Sequence, residues 1–218
     1  MVPVNQPFLS NREKELLAEC IDTGWISSDG PFVKKFEEKF SSFIGVDYGI
    51  AVSNGTAAIE TALFAAGLGE GDEIIMPAFT IISCAIAAIR LGSVPVLVDA
   101  EPETWNMDVS QIESCITSKT KAIMPVHIYG HPVDMDPVLE IAKKYNLTVI
   151  EDAAEVHGAK YKDQRCGSIG HISAFSFYAN KIITTGEGGM VVTSNPEMAA
   201  RARTYRNLCF LPEKRFLH

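Results

Sequence analysis

Three short segments hold residues whose types and settings point to chemistry. Lys181 ends the run Phe175-Ser176-Phe177-Tyr178-Ala179-Asn180-Lys181, which leads through Thr184 and Thr185 into Gly186, Gly188 and Gly189. An amine at the mouth of a sheet, partly dried by Phe and Tyr, is a candidate nucleophile. The plain alternative is a surface lysine before a glycine turn. Asp152 stands with Glu151 and Glu155 at the end of the apolar run Val149-Ile150. Such a carboxylate pairs with a cationic ligand nitrogen, binds a metal, or caps a helix. No His or Cys stands at ligand spacing from it, so the metal reading is poor. His127 and His131 flank Tyr129-Gly130 and precede Pro132, so they share no helical face; His157 and His171 are expected to make polar contacts. The third segment, Ser53-Asn54-Gly55-Thr56, follows an apolar run and opens a helical one. Free N–H groups there, with a hydroxyl, suit a phosphate, although Asn and Thr also cap helices that bind nothing. No Walker pattern and no GxGxxG accompanies it, which argues against a nucleoside triphosphate or a dinucleotide.

Taken together, a phosphate cradle, an aspartate and a lysine are what pyridoxal 5'-phosphate requires. The lysine holds the aldehyde as a Schiff base, the aspartate keeps the pyridine nitrogen protonated, and the helix start binds the phosphate.

The elements that must position these residues follow from apolar periodicity. Ser10 and Glu13 have capping-box spacing before an amphipathic run to Thr23, with Gly24 as the stop. A second helix starts near Pro31 and repeats Phe32, Phe36, Phe40 and Phe43 on one face. Beyond residue 48, short apolar runs at 49–52, 73–76, 95–98, 122–126, 148–150, 174–177 and 190–193 are predicted strands. Helix-like stretches at 57–66, 82–91, 109–116 and 137–145 separate the first five. The fold class expected is α/β, a mostly parallel mixed sheet flanked by helices, with a portion antiparallel or differently wound where the last two strands lack a helix between them. Ligands of such a sheet bind beyond the carboxyl ends of its strands, where all three segments fall.

Composition narrows the class further. The 218 residues carry a net charge of −8, which argues against a nucleic-acid partner. The longest nearly uncharged stretch, 74–89, is broken by Pro77 and too short to span a bilayer as a helix, so no membrane association is expected. The first residues lack a secretory-signal pattern, and five scattered cysteines without a CxxC pair suit a reducing, cytoplasmic setting.

The chain resembles the DegT-type nucleotide-sugar aminotransferases, whose fold is the fold-type I large domain of pyridoxal-phosphate transferases. The resemblance rests on Trp25-Ile26-Ser27-Ser28, Ser53-Asn54-Gly55-Thr56-Ala57-Ala58, Pro77-Ala78-Phe79-Thr80, Pro125-Val126-His127-Ile128-Tyr129-Gly130, Glu151-Asp152-Ala153-Ala154-Glu155 and Ser176-Phe177-Tyr178-Ala179-Asn180-Lys181. The run 180–189 is most similar to perosamine synthases, which move an amino group from glutamate to C4 of GDP-4-keto-6-deoxymannose. The resemblance implies Lys181 as Schiff-base lysine and proton shuttle, and Asp152 on the pyridine nitrogen. It places Gly55, Thr56 and Ser176 on the phosphate, Glu155 near the ring hydroxyl, and Ser28 and Tyr178 towards the sugar. It also implies a homodimer with a shared active site. Lys181 argues against the related 3-dehydratases, which carry His there. UDP- or dTDP-linked keto sugars, and a non-catalytic fragment of the fold, are the alternatives.

Two departures stand out. Ile81 occupies the place of an aromatic residue that the family stacks on the ring. Family members also continue past the point matching His218 with a small domain that completes the sugar pocket and supplies an asparagine to the neighbouring subunit's phosphate. The expected organisation is therefore 1–30 as an amino-terminal segment and substrate loop, and 31–218 as the cofactor-binding large domain.

Overall fold

The structure, a computed structural model, describes residues 6–28 and 30–210, so the outer ends of both expected units lie outside the described residues. Helix α1 (Asn11–Thr23) has the anticipated capping box from Ser10 and Glu13, and Gly24 closes it at φ 74°. Helix α2 (Pro31–Ile44) begins with proline at its first turn and buries Phe40, Ser41 and Ile44.

A seven-stranded sheet follows. Its strands are β1 (Tyr48–Val52), β2 (Glu73–Pro77), β3 (Val94–Val98), β4 (Thr120–Ile123), β5 (Thr148–Asp152), β8 (Ile172–Ser176) and β9 (Gly189–Thr193). They lie in the order β1-β9-β8-β5-β4-β2-β3. The pairs from β3 to β8 are parallel, while β9 runs antiparallel to both neighbours. The antiparallel portion thus falls where no helix was foreseen. A small hairpin, β6 (Lys160–Tyr161) with β7 (Gln164–Arg165), precedes β8.

Helices cover both faces, as the uninterrupted apolar strands require. On one, α3 (Gly55–Ala65), α4 (Ser83–Arg90) and α6 (Pro196–Arg206) pack over Ile50, Ile74, Met76, Met124, Ile150 and Val191. On the other, α5 (Met135–Tyr145) covers Ile75, Ile123 and Val149, and α2 covers Phe175, Phe177, Met190 and Val192. Strand alternation assigns each residue its face: Ile74 and Met76 go one way and Ile75 the other. Phe40 meets Phe175 and Phe177 edge-on at centroid distances of 4.9 and 5.0 Å, the arrangement aromatic quadrupoles favour.

One expected helix does not form. Residues 109–116 make two separate 3-10 turns, Val109–Gln111 and Glu113–Cys115. The Asp108 side chain takes the Ser110 N–H and closes a tight turn, and the run VSQIESCI is poor in strong helix formers. Helix α6 went unforeseen although Asn195 caps it through the N–H groups of Glu197 and Met198, with Pro196 at the first position. That signature is legible in sequence; the helix lay past the last strand and lacks an apolar stripe. Among the described residues, no helix is long and apolar enough to cross a membrane.

Candidate active site

Because β9 alone is reversed, the carboxyl ends of six strands and the start of β9 share one edge of the sheet. A cleft of ≈ 760 Å³ opens there, lined by Gly55, Thr56, Asp152, Glu155, Ser176, Tyr178 and Lys181 among others. Seven of the eight candidate residues are therefore brought together. Ser28 is not: it sits exposed in the loop after α1 and does not line the cleft.

The junction of β1, β8 and β9 shapes one end of the cleft. The Asn54 side chain takes the Ala57 N–H at 2.8 Å and its carbonyl takes that of Ala58 at 3.0 Å. The N–H groups of Gly55 and Thr56 have no hydrogen-bond partner among the described residues, and they carry the positive end of α3. A Cβ at Gly55 would stand 2.7 Å from Ser176 Cβ and 3.0 Å from its Oγ, and one on Gly189 would collide with the Asn54 carbonyl. Only glycines allow these three segments to meet. The Ser176 hydroxyl accepts one long bond, 3.4 Å from the Tyr178 N–H. The Thr56 hydroxyl is turned to Ser83, 2.9 Å away, a residue the sequence reading did not single out. Free amides at a helix start beside a serine hydroxyl form a cradle suited to a phosphate.

Asp152 and Glu151 are adjacent on β5 and point to opposite faces. Asp152 is 2% exposed, and its two oxygens meet neutral donors, the Ala154 N–H at 3.1 Å and the Cys84 thiol at 3.1 Å. Burial raises its pKa; the thiol, the amide and the charge of Lys181 offset that only in part. Burial also raises Cys84 well above the usual thiol value, so it remains the donor. A buried carboxylate with no cation in hydrogen-bond reach among the described residues fits a protonated ring nitrogen.

Glu151 is wholly buried and saturated. It accepts from His127 Nε2 at 3.0 Å, the Ser173 hydroxyl at 3.1 Å, and the N–H groups of Gly167, Ile169 and Gly170 at 2.8, 2.9 and 2.6 Å. Burial opposes its charge, but the hydrogen bonds from His127 and the backbone N–H groups of Gly170 and Gly167 outweigh it and hold the pKa below its ordinary value. Val133 donates to His127 Nδ1 at 3.0 Å, so the Nε2 proton is the one given to Glu151. His127 is thereby fixed in the cleft wall as a structural link.

Lys181 Nζ lies 3.1 Å from Glu155 Oε1, and the other Glu155 oxygen accepts the Tyr129 N–H at 2.8 Å. Tyr178 lines the cleft half-exposed, and Ile81 is 63% exposed at its edge. His157 departs from expectation. It packs among Phe40, Phe175 and Phe177 with neither ring nitrogen in good hydrogen-bond geometry, and burial, opposed only in part by the nearby Ser176 backbone, lowers its pKa to about 4. His171 does make the polar contact foreseen, accepting the Val149 N–H at 3.0 Å. Among the described residues no group of His, Cys, Asp or Glu could hold a metal.

Comparisons with known proteins establish the family. The model of the DegT/DnrJ/EryC1/StrS aminotransferase family matches residues 7–218. The chain is 48% identical over 215 residues to GDP-perosamine synthase of Caulobacter vibrioides, covering 99% of this chain and 58% of that protein. It is 49% identical over 217 residues to GDP-perosamine synthase of Escherichia coli O157:H7, covering 100% and 60% respectively. Among solved structures, the PLP form of Spr1654 from Streptococcus pneumoniae superposes with a TM-score of 0.87 at 30% identity, over 93% of this chain and 57% of the other. The chain thus spans about three fifths of the length of the curated relatives it matches. With a matched family model, close relatives and a shared fold, the chain belongs to the DegT/DnrJ/EryC1/StrS aminotransferase family.

Proposed function

We propose that this chain forms the pyridoxal-phosphate-binding part of an aminotransferase that moves an amino group from glutamate to C4 of a nucleotide-linked 4-keto-6-deoxy sugar, GDP-4-keto-6-deoxymannose. The observation that carries the reading is one cleft holding an amine, a buried carboxylate with neutral partners, and a helix start with unused N–H groups. The similarity to two GDP-perosamine synthases supports GDP over UDP or dTDP as the nucleotide.

Pyridoxal phosphate supplies an aldehyde that takes up an amino group and a ring that accepts electrons. In our assignment, Gly55 and Thr56 N–H groups and the Ser176 hydroxyl bind its phosphate. Asp152 holds a proton on the ring nitrogen, an interaction strengthened by the dry setting. Lys181 Nζ would hold the aldehyde and, when freed, would carry the proton from Cα of glutamate to the cofactor and, in the second half-reaction, from the cofactor to C4 of the sugar. Glu155 holds that amine in the cofactor-free chain and would stand near the ring hydroxyl. Tyr178 borders the sugar; Ser28, outside the cleft, receives no role. The sum is balanced without an outside oxidant: glutamate and keto sugar become 2-oxoglutarate and amino sugar in two half-reactions.

We further propose a homodimer and a cytoplasmic setting. Helix α1 buries none of its residues and exposes Leu17 and Ile21, with Trp25 and Ile26 exposed beyond it, an apolar surface that calls for cover. The five cysteines are all free. Sedimentation velocity expects a dimer; a monomer at every concentration overturns that assignment.

Absorption spectroscopy tests the main reading. The purified protein mixed with pyridoxal phosphate should turn yellow, glutamate should change the spectrum, and Lys181→Ala should abolish the lysine-dependent band. A protein that stays colourless refutes the assignment of the cleft. GDP-, UDP- and dTDP-linked 4-keto sugars, offered in turn to the glutamate-treated protein, then identify the nucleotide.

A further inference from the structure

We infer that Asn106, which lies outside the cleft, is a positioning residue for the Glu155–Lys181 pair and acts through the turn Ile128–Gly130. Asn106 is 3% exposed. Its Oδ1 accepts the Ile128 N–H at 3.1 Å, and its Nδ2 donates to the carbonyls of His131 and Pro132 at 3.2 and 3.3 Å. One amide therefore grips both ends of the turn. A carboxylate could not do so, since one end offers a donor and the other offers acceptors.

Inside the turn, Tyr129 adopts φ 51° and ψ 32°, a left-handed conformation that disfavours a bulky aromatic residue and persists only where neighbours enforce it. The residue is 77% exposed, so burial does not provide that enforcement. The turn instead aims the Tyr129 N–H at Glu155 Oε2, 2.8 Å away, while Glu155 Oε1 holds Lys181 Nζ at 3.1 Å. The path Asn106, Ile128, Tyr129, Glu155, Lys181 is continuous, with a covalent step only between Ile128 and Tyr129. Releasing Asn106 frees the turn, removes one of the bonds that set the Glu155 carboxylate, and loosens the amine it orients.

The inference rests on Lys181 as the reactive amine of the proposed function, so its test is read without cofactor. Lys181 in the cofactor-free chain is labelled with trinitrobenzenesulfonate and quantified by peptide mass spectrometry. Asn106→Ala and Asn106→Asp, the latter keeping the acceptor for Ile128 but setting oxygen against two carbonyls, should raise the labelling rate at least threefold. Glu155→Gln should raise it too, and Asn106→Ala combined with Glu155→Gln should add nothing further. An unchanged rate in a folded Asn106 variant, or additive effects, overturns the inference; a general loss of stability lowers the melting temperature without producing that non-additivity. Should both variants fail to fold, hydrogen exchange on the unaltered chain decides: the Ile128 amide should exchange with the core, and exchange as fast as an open turn overturns the inference. A yellow protein with unchanged labelling refutes this role alone, whereas coupled labelling in a colourless protein refutes the cofactor reading alone.

Discussion

Asp152 and Glu151 show what one residue of strand register does to a carboxylate. Both are buried, yet Glu151 takes five hydrogen bonds and is held below the ordinary carboxylate range, whereas Asp152 meets two neutral donors and is raised by burial. Linkage gives their contributions opposite signs. The depressed Glu151 adds stability above the unfolded carboxylate value, and that stability is lost as pH falls through its folded value. The raised Asp152 binds its proton more tightly when folded, so its ionisation costs stability as pH rises above the unfolded value and through the folded one. Asp152→Asn should therefore melt higher than the parent in cofactor-free form at neutral pH, by about 2–4 °C for each kcal/mol gained. The same variant should lose at least ~100-fold in amino-transfer rate, because Asn does not balance a charged ring nitrogen. Calorimetry and turnover on one preparation check both; a lower melting point or parental turnover contradicts the assignment. Glu151→Ala should destabilise by about 3–5 kcal/mol, since His127, Ser173 and three amides lose their acceptor together; urea denaturation measures it.

At the scale of elements, the cleft depends on how closely β1, α3 and β8 approach. Gly55 and Gly189 are there because any side chain would strike Ser176 or the Asn54 carbonyl. Gly55→Ala should cost about 1–3 kcal/mol of stability through overpacking. It should also weaken pyridoxal-phosphate binding at least ~10-fold, since the two free N–H groups move with the loop. Titration followed by absorbance tests this, and parental affinity would remove Gly55 from the cradle. The glycine was legible as a phosphate-loop candidate, but its contact with Ser176, 121 positions on along the chain, was not, since spacing says nothing of which strand lies beside which. The stretch 109–116 failed as a helix for a local reason: apolar spacing alone ignores propensity, and with Val109, Ile112 and Ile116 β-branched and Ser110, Ser114 and Cys115 weak helix formers, only two 3-10 turns form.

For the whole molecule, one reversed strand places six carboxyl ends and the start of β9 on a single edge, and the cleft follows from that. Lowering the pH should unfold the protein in a transition governed by Glu151, with circular dichroism showing loss of structure below the ordinary carboxylate range near pH 4. In Glu151→Gln the midpoint should move and the steepness fall; an unchanged profile would place the acid-sensitive group elsewhere.

Apolar periodicity, the Ser10–Glu13 box and the placing of Gly55 at a helix start, Asp152 and Ser176 by strand ends and Lys181 beyond a strand were determined by the chain's local chemistry, because a helix start, a strand and a turn each depend on residues within a few positions. Side-chain pairing across strands depends on sheet order, which long-range packing sets. The tertiary structure alone therefore decided that Cys84 bonds Asp152, that Glu155 links Tyr129 to Lys181, and that Ser28 stays outside the cleft.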